Sequence, residues 1–387
     1  MVPKLRFKEF CGEWAEFILK DVVDLRSEKY NPQKSDKNYK CIELEHLSQE
    51  TGEIIGSISS LEQKSIKNKF YKDDILYGKL RPYLRKYAYC TFEGVCSSEI
   101  WVLNSTTLNN RLLFYYIQTN EFQSVANISS GTKMPRADWN KLKLKKIKVP
   151  SLPEQTKIAD FLSTVDDKIQ NQQDKITHLE NIKKGFMQKI FSRKIRFKDD
   201  GGEEFSEWEE KRIGEIYIDR NEKPNKKMEL LSVTINNGVI KRSDIEGKDN
   251  SSEDKSNYKV VYKGDMVYNS MRMWQGASGI SSYDGIVSPA YTVMKNKVDI
   301  NNVFFAYLFK QPELIFKFRR FSQGLTSDTW NLKYPQIKEI KIKIPCLKEQ
   351  QKIADFLSAF DEKISTEKET LEHLKQLKKG LLQQMFV

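Results

Sequence analysis

Two short stretches of this chain carry side chains suited to reading the edges of nucleic-acid bases. Along YKDDILYGKLRPYL, from Tyr71, and the arginine that follows it, the residues Lys79, Arg81, Tyr83 and Arg85 fall at alternate positions. Arg and Lys make bidentate or point contacts to guanine edges, and Ser, Asn and Gln can read other edges. The stretch YKGDMVYNSMRMW, from Tyr262, parallels the first at a constant offset of 191. It sets Ser270, Arg272, Trp274 and Gly276 opposite those four, with Gln275 alongside. Only the arginine is kept. A shared frame with different polar side chains is what two readers of different sequences would have. Each residue also has a plainer reading, a solvated charge or phosphate contact for Lys and Arg, and a core position for Tyr83 and Trp274. Two loops add candidates: SSGTKMPRADW from Ser129, with Lys133 and Arg136, and SQGLTSDTW from Ser322, with Ser327. Glycine among Ser, Thr and Lys suits close backbone approach to phosphate, and it suits an ordinary turn equally well.

Motifs for catalysis are missing. There is no Walker A pattern, no GxSxG, no HExxH and no glycine-rich fingerprint after a strand. Acid–lysine spacings such as Glu62 and Lys64 arise by chance in a chain that is 30% charged. The 65 basic and 53 acidic residues give a net charge of +12, which favours an anionic partner. The five cysteines form no CxxC pair and only three histidines are present, so free thiols in a reducing cytoplasm are expected and a zinc site is not. No run of about 18 apolar residues and no signal peptide is visible, which predicts a cytoplasmic protein away from membranes.

The elements that must position these residues are revealed by a repeat. EQTKIADFLSTVDDKI, Glu154 to Ile169, returns 195 residues later as EQQKIADFLSAFDEKI, Glu349 to Ile364. Pro150 to Phe191 aligns with Pro345 to Phe386 without a gap, with 21 of 42 positions identical. The chain is therefore built from two halves. Each copy reads as a long helix with an apolar seam: Ile158, Leu162, Val165, Ile169, Ile176 and Leu179 in the first, Ile353, Leu357, Phe360, Ile364, Leu371 and Leu374 in the second. Steps of four and three are the heptad signature of helices that pack along one another. Gln172 and Glu367 interrupt the seams at equivalent places and can fix register. Packed antiparallel, the two helices would relate the halves by an approximate twofold axis.

The segments before each helix read as mixed α and β. Strands are predicted at Asp74–Tyr77, Ile100–Leu103, Val260–Val261, Met266–Tyr268 and Tyr291–Met294, and helices at Arg111–Gln118 and Val303–Phe309. A second parallel, GVCSSEIWVL from Gly94 with GIVSPAYTVM from Gly285, keeps the offset of 191.

The duplicated EQxKIADFLS helix, the openings LRFKEFCGEW and IRFKDDGGEEFSEW, GKLRPYL and the closing LKKGLLQQMF resemble the specificity subunit of Type I restriction-modification systems. The resemblance covers essentially the whole chain. It implies an α+β fold with a pseudo-twofold internal repeat: target-recognition domains at 1–149 and 193–344, and antiparallel coiled-coil spacer helices at 150–192 and 345–387. Each domain would read one half of a bipartite site in double-stranded DNA. Adenine methylation and ATP-driven cleavage would belong to separate modification subunits, two of them, and restriction subunits. No cofactor is then expected in this chain, with S-adenosylmethionine and ATP with Mg on the partners. The family's recognition domains vary too much for any base contact to be carried over. A nuclease or methyltransferase in its own right, a transcription factor and a purely structural adaptor are the competing readings.

Overall fold

The computed structural model describes residues 2–128, 134–247 and 251–386. The chain forms two compact units, Met1–Asp174 with Lys368–Val387, and Lys175–Glu367. They are called unit 1 and unit 2 below.

Each unit is built on an antiparallel four-stranded sheet. In unit 1 the order is Asp24–Leu25, Ile100–Asn104, Ile75–Gly78, Tyr87–Tyr89. In unit 2 it is Tyr217–Asp219, Tyr291–Asn296, Met266–Asn269, Ser278–Ile280. Strand periodicity explains the apolar runs. Successive side chains point to opposite faces, so Ile75 and Tyr77 enter one core cluster while Leu76 enters another. Met266 and Tyr268 likewise part from Val267. A sheet covered on both faces reads as continuous hydrophobicity rather than alternation.

The first cluster of each unit lies under helices. Asn110–Tyr116 and Asn120–Ala126 cover it in unit 1, and Asn302–Leu308 and Pro312–Phe321 in unit 2. The strands and helices predicted from sequence all form, shifted by no more than two residues at any end. The other face differs between the units. Unit 1 packs a five-stranded sheet there, which includes a parallel pairing of Cys41 with Val95. Unit 2 has two antiparallel pairs, the hairpin Leu231–Thr234 with Gly238–Lys241 and the non-local pair Lys259–Val261 with Gly285–Val287.

Gly94 and Gly285 occupy equivalent strands where backbones press together. A Cβ on Gly94 would lie 2.7 Å from the Lys40 carbonyl oxygen, and one on Gly285 only 2.5 Å from that of Glu229. Backbone cannot step aside as a side chain can, so Gly285→Ala is expected to destabilise unit 2 by about 1–3 kcal/mol. A urea midpoint unchanged from wild type would count against this close approach.

The repeat is helical, as its spacing predicts, over Leu152–Phe191 and Leu347–Gln384. Within unit 1 the helices run antiparallel: Ile158 and Leu162 share a core with Leu382 and Met385, and Lys378 pairs with Asp166 at 2.7 Å. Within unit 2 the sense is the same. Lys175 meets Glu367 at 2.7 Å, Lys183 meets Asp361 at 2.5 Å, and the Phe186 ring lies 5.1 Å from that of Phe356. The seam residues Ile158, Leu162, Val165, Ile353, Leu357 and Ile364 are buried. Ile169 and Phe360 are half-buried. Because Ile158, Leu162, Ile353 and Leu357 also join the cores of the globular segments, the first turns of each helix serve the domain and the helix pair at once.

Candidate nucleic-acid interface

The repeated words of the sequence become contacts that fix each globular segment on its helix. Glu154 is buried, and the Arg6 guanidinium donates to its two oxygens at 2.7 and 2.8 Å while the Trp14 indole N–H donates at 3.3 Å. Glu349 repeats this with Arg196 at 3.3 and 2.9 Å and Trp208 at 3.2 Å. The next residue of the motif caps inward. Gln155 accepts from the Asn109 N–H and donates to the Pro150 carbonyl, and Gln350 does so with Asn301 and Pro345. Asn109 and Asn301 in turn cap the helices that follow them.

The YKxD words fix the entry to the candidate turns. Asp74 accepts both arms of Arg26 at 2.9 Å and the Tyr71 N–H, and Asp265 accepts Arg220 at 2.8 and 3.0 Å and the Tyr262 N–H. Each guanidinium also lies over the tyrosine ring, at 4.9 and 4.6 Å. Beyond each aspartate the strand leads directly into a turn.

Both candidate segments of each half come together at that turn. In unit 1 the Lys79 N–H donates to the Glu99 carbonyl, Ala137 N–H donates to the Lys79 carbonyl, and Arg81 N–H donates to the Pro135 carbonyl at 2.7 Å. In unit 2 the Ser270 N–H donates to the Ala290 carbonyl and Leu332 N–H to the Ser270 carbonyl. The backbone frame is thus the same while the side chains on it differ.

In unit 1, Arg81 is exposed and Tyr83 is 57% exposed. Among the described residues no carboxylate meets the Arg81 guanidinium. Arg81 and Arg85 both adopt left-handed backbone, at φ of 53° and 49°, which costs about 1–2 kcal/mol each for a residue with a Cβ. Lys79 is half-buried. Arg85 is turned to structure: it donates to the Gln118 carbonyl at 2.8 Å and reaches Glu50 at 3.4 Å. Arg136 stays near the surface but forks onto Glu99 at 2.9 and 3.2 Å, which raises its already high pKa. Lys133 lies outside the described residues.

In unit 2, Arg272 and Ser327 are exposed and Gln275 is half-buried. Trp274 is half-buried and meets Trp330 edge-on at 5.2 Å, with the Arg319 guanidinium 4.9 Å over Trp330. Ser270 is not at the surface. It is 4% exposed and its hydroxyl is shared with Thr292 at 2.8 Å, because the position falls on the inward side of the strand edge. Lys310, whose ammonium donates to the Gly276 and Ile235 carbonyls, anchors the end of this turn. Burial pulls its pKa down to about 8. Sequence reasoning missed Glu99, Arg319, Trp330 and Lys310 because their roles arise from contacts distant in the chain. Glu99 and Trp330 stood inside stretches already singled out.

The arrangement offers cations, indole edges and amide donors on a strained turn. Among the described residues no group of three His, Cys, Asp or Glu could hold a metal ion.

The family described as "Type I restriction modification DNA specificity domain" matches residues 12–181 and again 205–376. The chain is similar to the type I restriction enzyme EcoDI specificity subunit of Escherichia coli, 29% identical over 190 residues. That match spans 46% of this chain and 42% of the relative, less than half its length. The putative type I restriction enzyme MjaX specificity subunit of Methanocaldococcus jannaschii is 24% identical across 98% of this chain and 94% of its own. Two solved structures share the fold. A chain from a type I R-M system superposes with a TM-score of 0.60 at 16% identity, over 97% of both chains. The type I restriction-modification S subunit of M. genitalium gives 0.57 at 17%, over 100% of this chain and 99% of the other.

Proposed function

This chain belongs to the Type I restriction modification DNA specificity family, and from that premise we propose that each unit reads one half of a bipartite DNA target through the turn described above. The chain is a sequence-specific DNA-recognition subunit and not itself the catalyst. The observation that carries the bipartite reading is the common backbone frame presenting different groups, Arg81 with Tyr83 in unit 1 and Arg272 with the Trp274–Trp330 pair in unit 2. Two unlike readers on one scaffold make a target with two unlike halves.

The partners in this reading are double-stranded DNA, two modification subunits that carry S-adenosylmethionine, and restriction subunits that carry ATP and Mg. The long helices serve as the spacer, and the domains take the bounds 1–149, 150–192, 193–344 and 345–387. No described helix is long and apolar enough to cross a membrane, and the assembly acts on DNA in the cytoplasm. Of the candidate residues, Arg81 and Arg272 are the base readers, Tyr83, Trp274 and Gln275 flank them, and Lys79 and Ser327 face the DNA backbone, while Arg136, held by Glu99, positions the turn.

Arg81→Ala and Arg272→Ala are each expected to cost about 1–3 kcal/mol of specific binding and to relax the sequence read at one half-site. Affinities for duplexes altered in one half at a time, at fixed salt, measure this. Equal weakening on every duplex would assign these arginines to phosphate.

A further inference from the structure

In each unit one cation ties the candidate turn to two other segments, and the two units supply it from opposite positions. The turns close alike. Arg85 N–H donates to the Pro82 carbonyl and Gly276 N–H to the Met273 carbonyl, both in left-handed backbone at φ of 49° and 82°. The helices beside the turns also end alike, since Asn109 and Asn301 make the same caps and the N–H groups of Gln118 and Lys310 donate to the carbonyls of Tyr115 and Tyr307. Arg85 therefore corresponds to Gly276, and Gln118 to Lys310. In unit 1 the Arg85 guanidinium crosses from the turn to the Gln118 carbonyl at 2.8 Å. In unit 2 the Lys310 ammonium crosses the other way, from the helix end to the Gly276 carbonyl.

The same cations reach a hairpin. Arg85 Nη1 lies 3.4 Å from the Glu50 carboxylate, and Glu50 N–H donates to the Arg85 carbonyl at 3.0 Å. Lys310 donates to the Ile235 carbonyl at 2.9 Å, in the bend between Leu231–Thr234 and Gly238–Lys241. These hairpins are equivalent too. Each follows a stretch that runs parallel to the Gly94 or Gly285 strand, through Cys41 with Val95 and through Leu230 with Ile286.

Each cation sits where stability alone would not put it. Arg85 adopts a left-handed backbone that its glycine counterpart takes without strain, and its Nε is buried without a hydrogen-bond partner, which carries a desolvation cost. Gln118 turns its amide back onto the Phe114 carbonyl, so in unit 1 the cation comes from the turn. Lys310 is held by carbonyls, and among the described residues no carboxylate meets it. Strained backbone persists where the surrounding structure holds it and clusters where geometry is used.

We propose that Arg85 and Lys310 are equivalent positioning residues for base reading: each holds its turn, helix end and hairpin as one body, so that Arg81 or Arg272 meets a base edge in a fixed direction. The proposal rests on the reading given above, in which those arginines contact bases. Readout of base edges depends on direction, whereas phosphate contacts carry no sequence information. Release of the clamp therefore lowers discrimination and leaves affinity for random sequence in place.

The test uses the full chain assembled with its modification subunits, and duplexes carrying the mapped target with one half altered at a time, at fixed salt. Arg85→Met and Lys310→Met remove the cation and keep an aliphatic stem. Each is expected to lower discrimination about tenfold at its own half-site, with the other half-site and the affinity for random-sequence duplex as in wild type. Arg85→Lys and Lys310→Arg return a cation and should restore most of the discrimination. Wild-type discrimination in either methionine variant would overturn the proposal. So would relaxation of both half-sites together, or conservative variants that fall as far as the methionine ones. A wild-type complex that discriminates at neither half would remove the base-reading premise, whereas Arg81→Ala and Arg272→Ala that relax their half-sites beside unaffected methionine variants would remove only the clamp.

Discussion

Glu349→Ala is expected to lower the stability of unit 2 by about 3 kcal/mol, because breaking a buried pair leaves the partner charge uncompensated. The carboxylate is fully buried and accepts from both Arg196 and the Trp208 indole. Its removal strands two donors and opens space at the start of the long helix. The Arg196 side chain is 17% exposed, so water recovers part of its solvation, which places the cost near the low end for such pairs. At roughly 2–4 °C per kcal/mol for a unit of this size, the melting of unit 2 should fall by about 6–12 °C. Glu349→Gln keeps the shape and one acceptor and should fall less. Calorimetry that shows no shift in Glu349→Ala would mean that the motif does not tie the globular segment to its helix.

That hub also shows how far the sequence could be read. The repeat exposed Glu154 and Glu349, and the openings exposed Arg6, Trp14, Arg196 and Trp208, all as recurring letters. Their mutual contact spans 140 to 153 residues of chain, and no local periodicity reports a contact at that separation. The helices were legible because heptad spacing is local, and so were the central strands, whose apolar runs are short and bounded by turns. The second sheet was not: five strands in unit 1 against two separate pairs in unit 2 reflect segments whose sequences have diverged.

The candidate interface was legible as a frame and less so as side chains. The constant offset correctly brought Arg81 opposite Arg272, and both prove exposed. It also nominated Ser270, which faces inward onto Thr292, since an alignment gives correspondence but not which face of a strand edge a residue takes. Arg85 and Arg136 were nominated for their charge, and both meet carboxylates, Glu50 and Glu99, that lie 35 and 37 residues away. Charge is visible in a sequence, whereas its neutralisation depends on the fold.

The largest functional effect is expected from exchanging a whole reader. Residues 1–149 replaced by the corresponding segment of a relative should give a complex that reads a new sequence in one half of its target and the original sequence in the other. The frame makes this possible because the backbone bonds that hold the turn, Lys79 with Glu99 and Ala137, lie within the exchanged segment. The junction sets one condition. Arg6 and Trp14 move with the exchange while Glu154 stays, so the donor segment must supply an arginine and a tryptophan at those places. Binding energy from phosphate contacts is insensitive to sequence, so total affinity should change little while the preferred bases change at one end. The decisive measurement is the map of methylated adenines in DNA exposed to the exchanged chain assembled with its modification subunits. One half-site replaced and the other kept is the predicted result. Both halves changed together, or neither changed in an active complex, would contradict independent reading by the two units.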